Sequence, residues 1–378
     1  MTSGGQWHSG MIRSRKPRQE GKDSPARDGR VLCGFAFTVA LACALTAPGL
    51  AAEDFAFTGK TTIQLASAEE TSKLLSEKDA FIASMSPVDR IVRMNLVGSV
   101  PEDKFLIFLS KQALDFTAEE AAKLQGIVAS IRNRLEKEGL DLPFPPKVTL
   151  AKTTGKDEAD AAYCRGPVIF LPKWFLEFDT AKLEWIVTHE LFHVVSNCNR
   201  DLRPAMYAIL GFQPCSEVTL PKEVMKWKIT NPDAYENNFR IKVYYGPQTL
   251  EVIPVHMFSS EKYGANPRLP YHYYAGPKLL AVEERDGRCA PKLNDGEPVI
   301  VNAQDCADYY AKVARNSQYM MQPEEILAEN FVLLVYGRAG KDSPEIPQKL
   351  REALTGVAPP AAEEKQEVPA GATEEGHS

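Results

Sequence analysis

The strongest constraint on the fold is an apolar segment that contains the pattern His-Glu-x-x-His. It runs from Leu183 to Val195 and reads Leu-Glu-Trp-Ile-Val-Thr-His-Glu-Leu-Phe-His-Val-Val. Apolar residues flank the pattern on both sides, which predicts a buried helix. On a helix, residues four apart lie on one face, so His189 and His193 can bind one metal ion. Without a metal or hydrogen bonds, two imidazoles in apolar surroundings would be costly, and the segment therefore predicts a metal site.

Zinc fits this spacing and suggests a reaction. It accepts neutral imidazole at about 2.0–2.1 Å and, in catalytic sites, keeps one of four positions for water. Glu190 follows His189 directly, and a carboxylate there can accept a proton from that water. We expect one Zn²⁺ per chain, with Glu190 as general base.

A second acidic segment, near the C-terminus, offers a third ligand. Pro323 is typical of the first turn of a helix, and Glu325 and Glu329 lie four apart on one face. The helix is apolar beyond this point, so Glu329 is expected to have a partner in the interior. Glu324 is explained by a surface position in the first turn, where the helix dipole favours an acid. The alternative third ligands are Glu217, His256 and His272.

The order of elements resembles the core of zincin metallopeptidases. A helix opened by Thr117, two strands and the metal helix follow one another over about residues 117–197. In zincins a backing helix and a small mixed sheet support the His-Glu-x-x-His helix, and an edge strand borders the cleft. The resemblance implies that the strand Gly166–Leu171 is that edge. Its continuous apolar run is also typical of a central strand, and this alternative stays open.

The pattern Glu-x-x-Ala-Glu-x-Phe at residues 325–331 resembles the closing helix of gluzincins of the lethal-factor type. That resemblance implies that Glu325 is the third ligand and that Glu329 orients a ligand histidine. Tyr319 is placed like the tyrosine that donates to the developing oxyanion in some of these enzymes, which would make it catalytic. The chain departs from the pattern in its spacing, because a β-rich insertion has to separate the two metal-binding helices. The wider chain also resembles a set of uncharacterised exported bacterial proteins.

The expected fold class is α+β, a zincin-like core with a β-rich insertion. The expected organisation is a signal peptide, an N-terminal helical region, the zincin-like core, the β-rich insertion, a closing helical region with the third ligand, and a disordered tail. These correspond to residues 1–52, 53–116, 117–221, 222–302, 303–354 and 355–378.

The N-terminal region has the features of a cleaved secretory signal. Residues 11–30 carry seven Lys or Arg against three acids, and Val31–Ala47 is almost wholly apolar. We expect a periplasmic or secreted protein, with an uncleaved membrane anchor as the alternative.

A net charge of −6 argues against nucleic acid and anionic membrane surfaces as partners. The expected partner is a peptide or protein substrate, and the oligomeric state is left open.

Export also bears on the cysteines. Seven are present, and five remain after residue 52. An oxidising compartment favours disulfides, and we expect at least one, with Cys289–Cys306 the favoured pair. Cys198 and Cys215 bracket a short helix and are a second possible pair, and the sequence does not fix the connectivity. Cys164 would then be the unpaired thiol.

The predicted function is an exported zinc metallopeptidase. The alternatives are a zinc-binding module without catalysis and an amidase acting on cell-wall amide bonds.

Overall fold

The computed structural model describes residues 54–96, 98–258, 274–313, 315–317, 319 and 321–356, all within one compact unit, residues 49–378. The expected signal segment, His272 and nearly all of the expected tail lie outside these residues. The described part is a mixed α+β fold, as the sequence predicted.

Local capping fixes where several helices begin. Ser67 with Glu70, and Thr117 with Glu120, form capping boxes. Asp201 lies within a short 3₁₀ turn, Arg200–Leu202. The helices are α1 (Ala68–Ser76), α2 (Ala80–Ser84), α3 (Pro87–Arg93), α4 (Glu102–Ser110), α5 (Ala118–Lys137), α6 (Thr180–Cys198), α7 (Arg203–Ala208), α8 (Lys222–Met225), α9 (Ala307–Val313), α10 (Pro323–Val335) and α11 (Glu345–Thr355).

The first sheet contains the two strands predicted ahead of the metal helix. Its members are β1 (Asp54–Ala56), β2 (Thr62–Leu65), β3 (Ala113–Leu114), β4 (Lys147–Thr153), β5 (Tyr163–Arg165) and β6 (Val168–Pro172). The order is β1-β2-β4-β6-β5, and β3 pairs with the end of β4. β2, β4 and β6 run parallel, whereas β5 is antiparallel to β6.

This pairing corrects the expected edge strand. β6 is paired on both sides, by β4 and by β5, so it is central. Its five residues are all buried, which is the reason for the apolar run. The short strand β5, which the sequence did not predict, forms the edge of the described sheet next to α6.

A second, antiparallel sheet lies between the two metal-site helices in the chain. It contains β7 (Phe212–Pro214), β8 (Phe239–Tyr245), β9 (Gln248–Phe258), β10 (Ala275–Arg285), β11 (Arg288–Pro291) and β14 (Ile300–Asn302), and β12 (Leu293–Asn294) pairs with β13 (Glu297–Pro298). β8 and β9 form a hairpin, with Gly246 at a φ of +56° in its turn.

One hydrophobic core connects the sheets and the metal helix. It contains Leu124 of α5, Val187 of α6 and Phe331 of α10, together with Val252 and Leu279 of the second sheet. α10 packs directly on α6 although more than a hundred residues separate them in the chain. This packing brings the first turn of α10 to the histidine face of α6.

Candidate metal centre

The two histidines of α6 direct ring nitrogens to one point. Asp179 caps the helix by accepting a hydrogen bond from the Lys182 amide at 2.9 Å. Two turns further on, the Nε2 atoms of His189 and His193 lie 3.1 Å apart. His193 is buried, and His189 is partly exposed. The pair forms one side of a site that reaches solvent past His189.

Glu325 completes a triangle of donor atoms. Its Oε2 atom lies 3.4 Å from His189 Nε2 and 3.6 Å from His193 Nε2. Ligands on a tetrahedral zinc at about 2.0–2.1 Å are separated by roughly 3.3 Å. The three side chains therefore fit a zinc ion on distance as well as on donor type. Among the described residues, they form one of two groups with the spacing of metal ligands.

A side chain that the sequence did not reveal orients Glu325. Asn231 Nδ2 donates to Glu325 Oε1 at 2.6 Å and to Gln322 Oε1 at 2.7 Å. Holding Oε1 in this way leaves Oε2 facing the histidines. Asn231 lies in the sequence Asn-Pro-Asp, which indicates a turn and no particular chemistry.

Glu324 has a different role from the expected one. The sequence predicted a surface acid, but its side chain is fully buried because α10 begins against α6 and α7. Glu324 Oε1 lies 3.0 Å from His193 Nδ1, and Oε2 accepts hydrogen bonds from Ser196 at 2.7 Å and from Tyr207. A carboxylate on the far ring nitrogen fixes the orientation and tautomer of a ligand histidine.

Glu329, expected to be buried and to orient a histidine, is only loosely placed for that task. Its Oε1 atom is 3.8 Å from His189 Nδ1, too far for a hydrogen bond, and its side chain is 33% exposed. Tyr319 is 40% exposed. The negative charge of Glu325 is the main cause that raises the pKa of the Tyr319 phenol, which therefore stays protonated near neutral pH.

Glu190 lies at the inner end of the site. It is 4% exposed, and burial raises the pKa of its carboxyl group. The Cys164 thiol of β5 contacts it, with Sγ 3.2 Å from the Glu190 carbonyl oxygen and 3.5 Å from Oε2. Glu190 is thus held beside the donor triangle without belonging to it.

Asp233 is a second inner carboxylate that the sequence did not reveal. It is 5% exposed, and its Oδ1 atom accepts a hydrogen bond from the Cys164 amide at 2.7 Å. Donor atoms of Cys164, Glu190 and Asp233 all lie within 4.8 Å of one another. Burial alone would lower the pKa of His193, but Asp233 and Glu325 raise it well above its usual value. The carboxyl groups around His193 therefore favour a positive charge at this position.

The alternative ligands that are described lie outside the triangle. Glu217 accepts a hydrogen bond from the Asn237 amide at 2.9 Å. His256 is in β9, opposite Pro277 of β10. Neither joins His189 and His193 in a group with metal-ligand spacing within the described ranges.

The cysteines depart from the expected pairing. The five thiols from Cys164 onward are all free in the structure. Cys289 contacts Cys215 and belongs with it to a small cluster, whereas Cys306 lies in the main core. Cys306 was the wrong partner for Cys289, because the pairing of β10 with β11 places Cys289 next to the segment that follows β7, where Cys215 lies.

No protein-family model matches the chain, and no curated protein or solved structure is significantly similar to it. Within the described ranges, no helix has the length and apolar character needed to cross a membrane.

Proposed function

We propose that the chain is an exported zinc-dependent metallopeptidase in which His189, His193 and Glu325 hold the metal. The triangle of donor atoms at 3.1, 3.4 and 3.6 Å carries this proposal. The surroundings support a zincin-like core: a mixed sheet, the helices α5 and α6, an antiparallel edge strand next to α6, and α10 closing the site. The signal segment predicted from residues 1–52 is the basis for export.

When bound, zinc would supply Lewis-acid activation of a water molecule and of the scissile carbonyl group. Glu190 takes a proton from the attacking water and passes it to the leaving nitrogen. The amide C–N bond and one O–H bond of the water break, and one C–O bond and one N–H bond form, so no further reactant is needed. Tyr319, protonated at neutral pH, donates a hydrogen bond to the developing oxyanion. Glu324 holds His193 in a fixed orientation throughout.

A structural zinc is the competing hypothesis. Structural zinc sites in proteins have four protein ligands, whereas catalytic sites have three and keep a position for water. Three donors surround this point among the described residues, and a carboxylate lies next to them. This arrangement favours a catalytic zinc site over a structural one. An amidase acting on cell-wall amide bonds would use the same chemistry on another substrate.

The Glu190→Gln variant tests the proposal. It removes the proton acceptor and keeps the side-chain shape, so zinc content and thermal unfolding should match those of the wild type while peptide hydrolysis falls at least a hundredfold. Elemental analysis, calorimetry and a broad peptide library give the three measurements. Loss of zinc from His193→Ala and from Glu325→Ala is the companion result. Zinc-loaded wild type that cleaves no peptide would favour the binding module, and full zinc retention by Glu325→Ala would remove Glu325 from the ligand set.

A further inference from the structure

An open cavity of about 400 Å³ lies outside the candidate metal centre. Its walls come from α2, from the segment around α8 and from residues 235–237. The volume is within the range of pockets that bind small molecules. Much of the wall is apolar, through Val218, Leu220 and Met225, and the one basic side chain that the described residues contribute to it is Lys228. The cavity therefore has the form of a site for a small molecule with an apolar part.

The backbone of Lys228 is fixed by three contacts. Its amide donates to the Val224 carbonyl oxygen at 2.9 Å, and its own carbonyl oxygen accepts a hydrogen bond from the Ser86 hydroxyl at 2.7 Å. The residue is also bridged to Met257 of β9. Lys228 is only 5% exposed. It therefore belongs to the packed interior, unlike a surface lysine that extends its amine into water.

The amine of Lys228 has more donors than partners. A lysine amine offers three N–H donors when charged and two when neutral. Within the described ranges, Nζ has one acceptor, the carbonyl oxygen of Ser84 at 3.4 Å, which is longer than the usual N–H···O distance. Ser84 also lines the cavity, and this places the amine at the cavity surface. Buried donors without acceptors are costly, so the site favours a ligand that brings acceptors.

The carboxylates nearest to Lys228 are engaged elsewhere. Asp89 accepts hydrogen bonds from the amide and the hydroxyl of Thr230, at 2.8 Å each. Glu217 is exposed and accepts a hydrogen bond from the Asn237 amide at 2.9 Å. Burial is the largest influence on the Lys228 amine and lowers its pKa, and the two carboxylates act on it only through their charge. A ligand carboxylate would be the close partner that no described residue provides.

We propose that this cavity binds a small apolar monocarboxylate, with the carboxylate group on Lys228 and the apolar group against the apolar wall. A carboxylate supplies only acceptors and a negative charge, which are what the amine needs. Glu217 lines the same cavity, so a second carboxylate on the ligand would meet a like charge. The carboxylate can belong to an alkanoic acid or to the C-terminal residue of a peptide. The site is independent of the metallopeptidase function, because none of its residues belongs to the donor triangle.

The first test compares ligands and needs no variant. Hexanoate and hexanamide, which differ in charge and hardly in shape, are titrated into the full chain by calorimetry, with and without zinc. N-acetyl-leucine and its amide are compared in the same way, to distinguish a peptide terminus from an alkanoate. In at least one pair the carboxylate should bind about tenfold to a hundredfold more tightly than its amide, the range for a hydrogen bond to a charged group. Equal or absent binding in both pairs would overturn the proposal.

Substitution then assigns the preference to Lys228. Lys228→Met removes the amine and keeps a long, unbranched side chain, so the preference for the carboxylate should disappear. Its thermal unfolding temperature should equal or exceed that of the wild type, because the lost amine makes only one long hydrogen bond. Lys226→Met changes an exposed lysine two positions earlier and is the matched control, which should keep the preference. A preference that survives in Lys228→Met would place the ligand elsewhere and refute the proposal.

The zinc-free titration separates this cavity from the metal centre, since carboxylates also bind zinc. Binding that persists without zinc and disappears in Lys228→Met supports the proposal. Binding that is lost with the zinc and retained in Lys228→Met would put the carboxylate on the metal, and the cavity would then have no such ligand. Neither result depends on whether the chain hydrolyses peptides.

Discussion

Glu324 Oε1 lies 3.0 Å from His193 Nδ1, and both side chains are almost completely buried. The contact joins residues 131 positions apart in the chain. Burial alone would raise the pKa of Glu324, but the hydrogen bond to His193 and the charge of Arg203 lower it, so the group is ionised. The contact therefore links the fold of α10 to the geometry of the metal site.

Replacing Glu324 should weaken both zinc binding and folding. Glu324→Ala removes the buried carboxylate that accepts hydrogen bonds from Ser196 and Tyr207 and frees the His193 ring. We expect a tenfold to hundredfold loss of zinc affinity and a loss of about 3–5 kcal/mol in unfolding free energy. Competition with a zinc chelator and urea denaturation measure the two effects. Tyr207→Phe removes one hydrogen bond to the same carboxylate without changing its charge, and should cost no more than about 1–3 kcal/mol. Equal losses in the two variants would contradict a charge-based role for Glu324.

Asn231 should control the affinity of the third ligand. In Asn231→Ala, Glu325 Oε1 loses its 2.6 Å donor, and the carboxylate can rotate away from the histidines. Zinc affinity should fall about tenfold, the lower end of the range for partners of metal ligands, and less than in Glu325→Ala. Asn231→Asp removes a donor and adds a like charge, so it should be worse than alanine. Chelator competition ranks the three variants, and wild-type affinity in Asn231→Ala would show that Glu325 needs no such support.

The buried carboxyl group of Asp157 should make stability depend on pH. Burial raises its pKa from 3.8 to about 6, and Tyr163 donates to its Oδ2 atom at 3.0 Å. A folded-state pKa above the unfolded value means that the stabilising contribution is complete below about pH 4 and is lost as the pH rises through 6. The shift corresponds to about 3 kcal/mol.

The Asp157→Asn variant cannot titrate at this position. Its stability relative to wild type should therefore rise by about 2–3 kcal/mol between pH 4 and pH 8. Urea denaturation of zinc-free protein gives this difference without a contribution from metal binding. Asp103→Asn changes an exposed carboxyl group in α4 and serves as the control. A pH-independent difference between Asp157→Asn and wild type would contradict the raised pKa.

Oxidation should join Cys215 to Cys289. The two thiols are in contact, and the Cys289 amide donates to Ser216 Oγ at 2.7 Å, which holds the two segments together. Mild oxidation followed by non-reducing peptide mapping should recover this pair, and Cys306→Ser should leave it unchanged. A Cys289–Cys306 peptide from folded protein would instead restore the pairing expected from the sequence.

The sequence by itself determined the parts of this protein that depend on local interactions. The spacing of His189 and His193 is a property of one helix, and the capping boxes at Ser67 and Thr117 involve residues three apart. Pro323 begins α10 because its fixed φ suits a first helical turn. The β8–β9 hairpin follows from the turn between its strands. Each of these features depends on only a few consecutive residues.

Only the tertiary structure decided which polar groups meet at the site. Glu324 rather than Glu329 contacts a histidine closely because the packing of α10 on α6 and α7 sets which side of its first turn is buried. Asn231 and Asp233 reach the site from a turn, and the sequence pattern of a turn does not predict which part of the protein its side chains will contact. β6 is central because β5 pairs with its other edge. These outcomes depend on contacts between residues far apart in the chain, where no local periodicity carries the information.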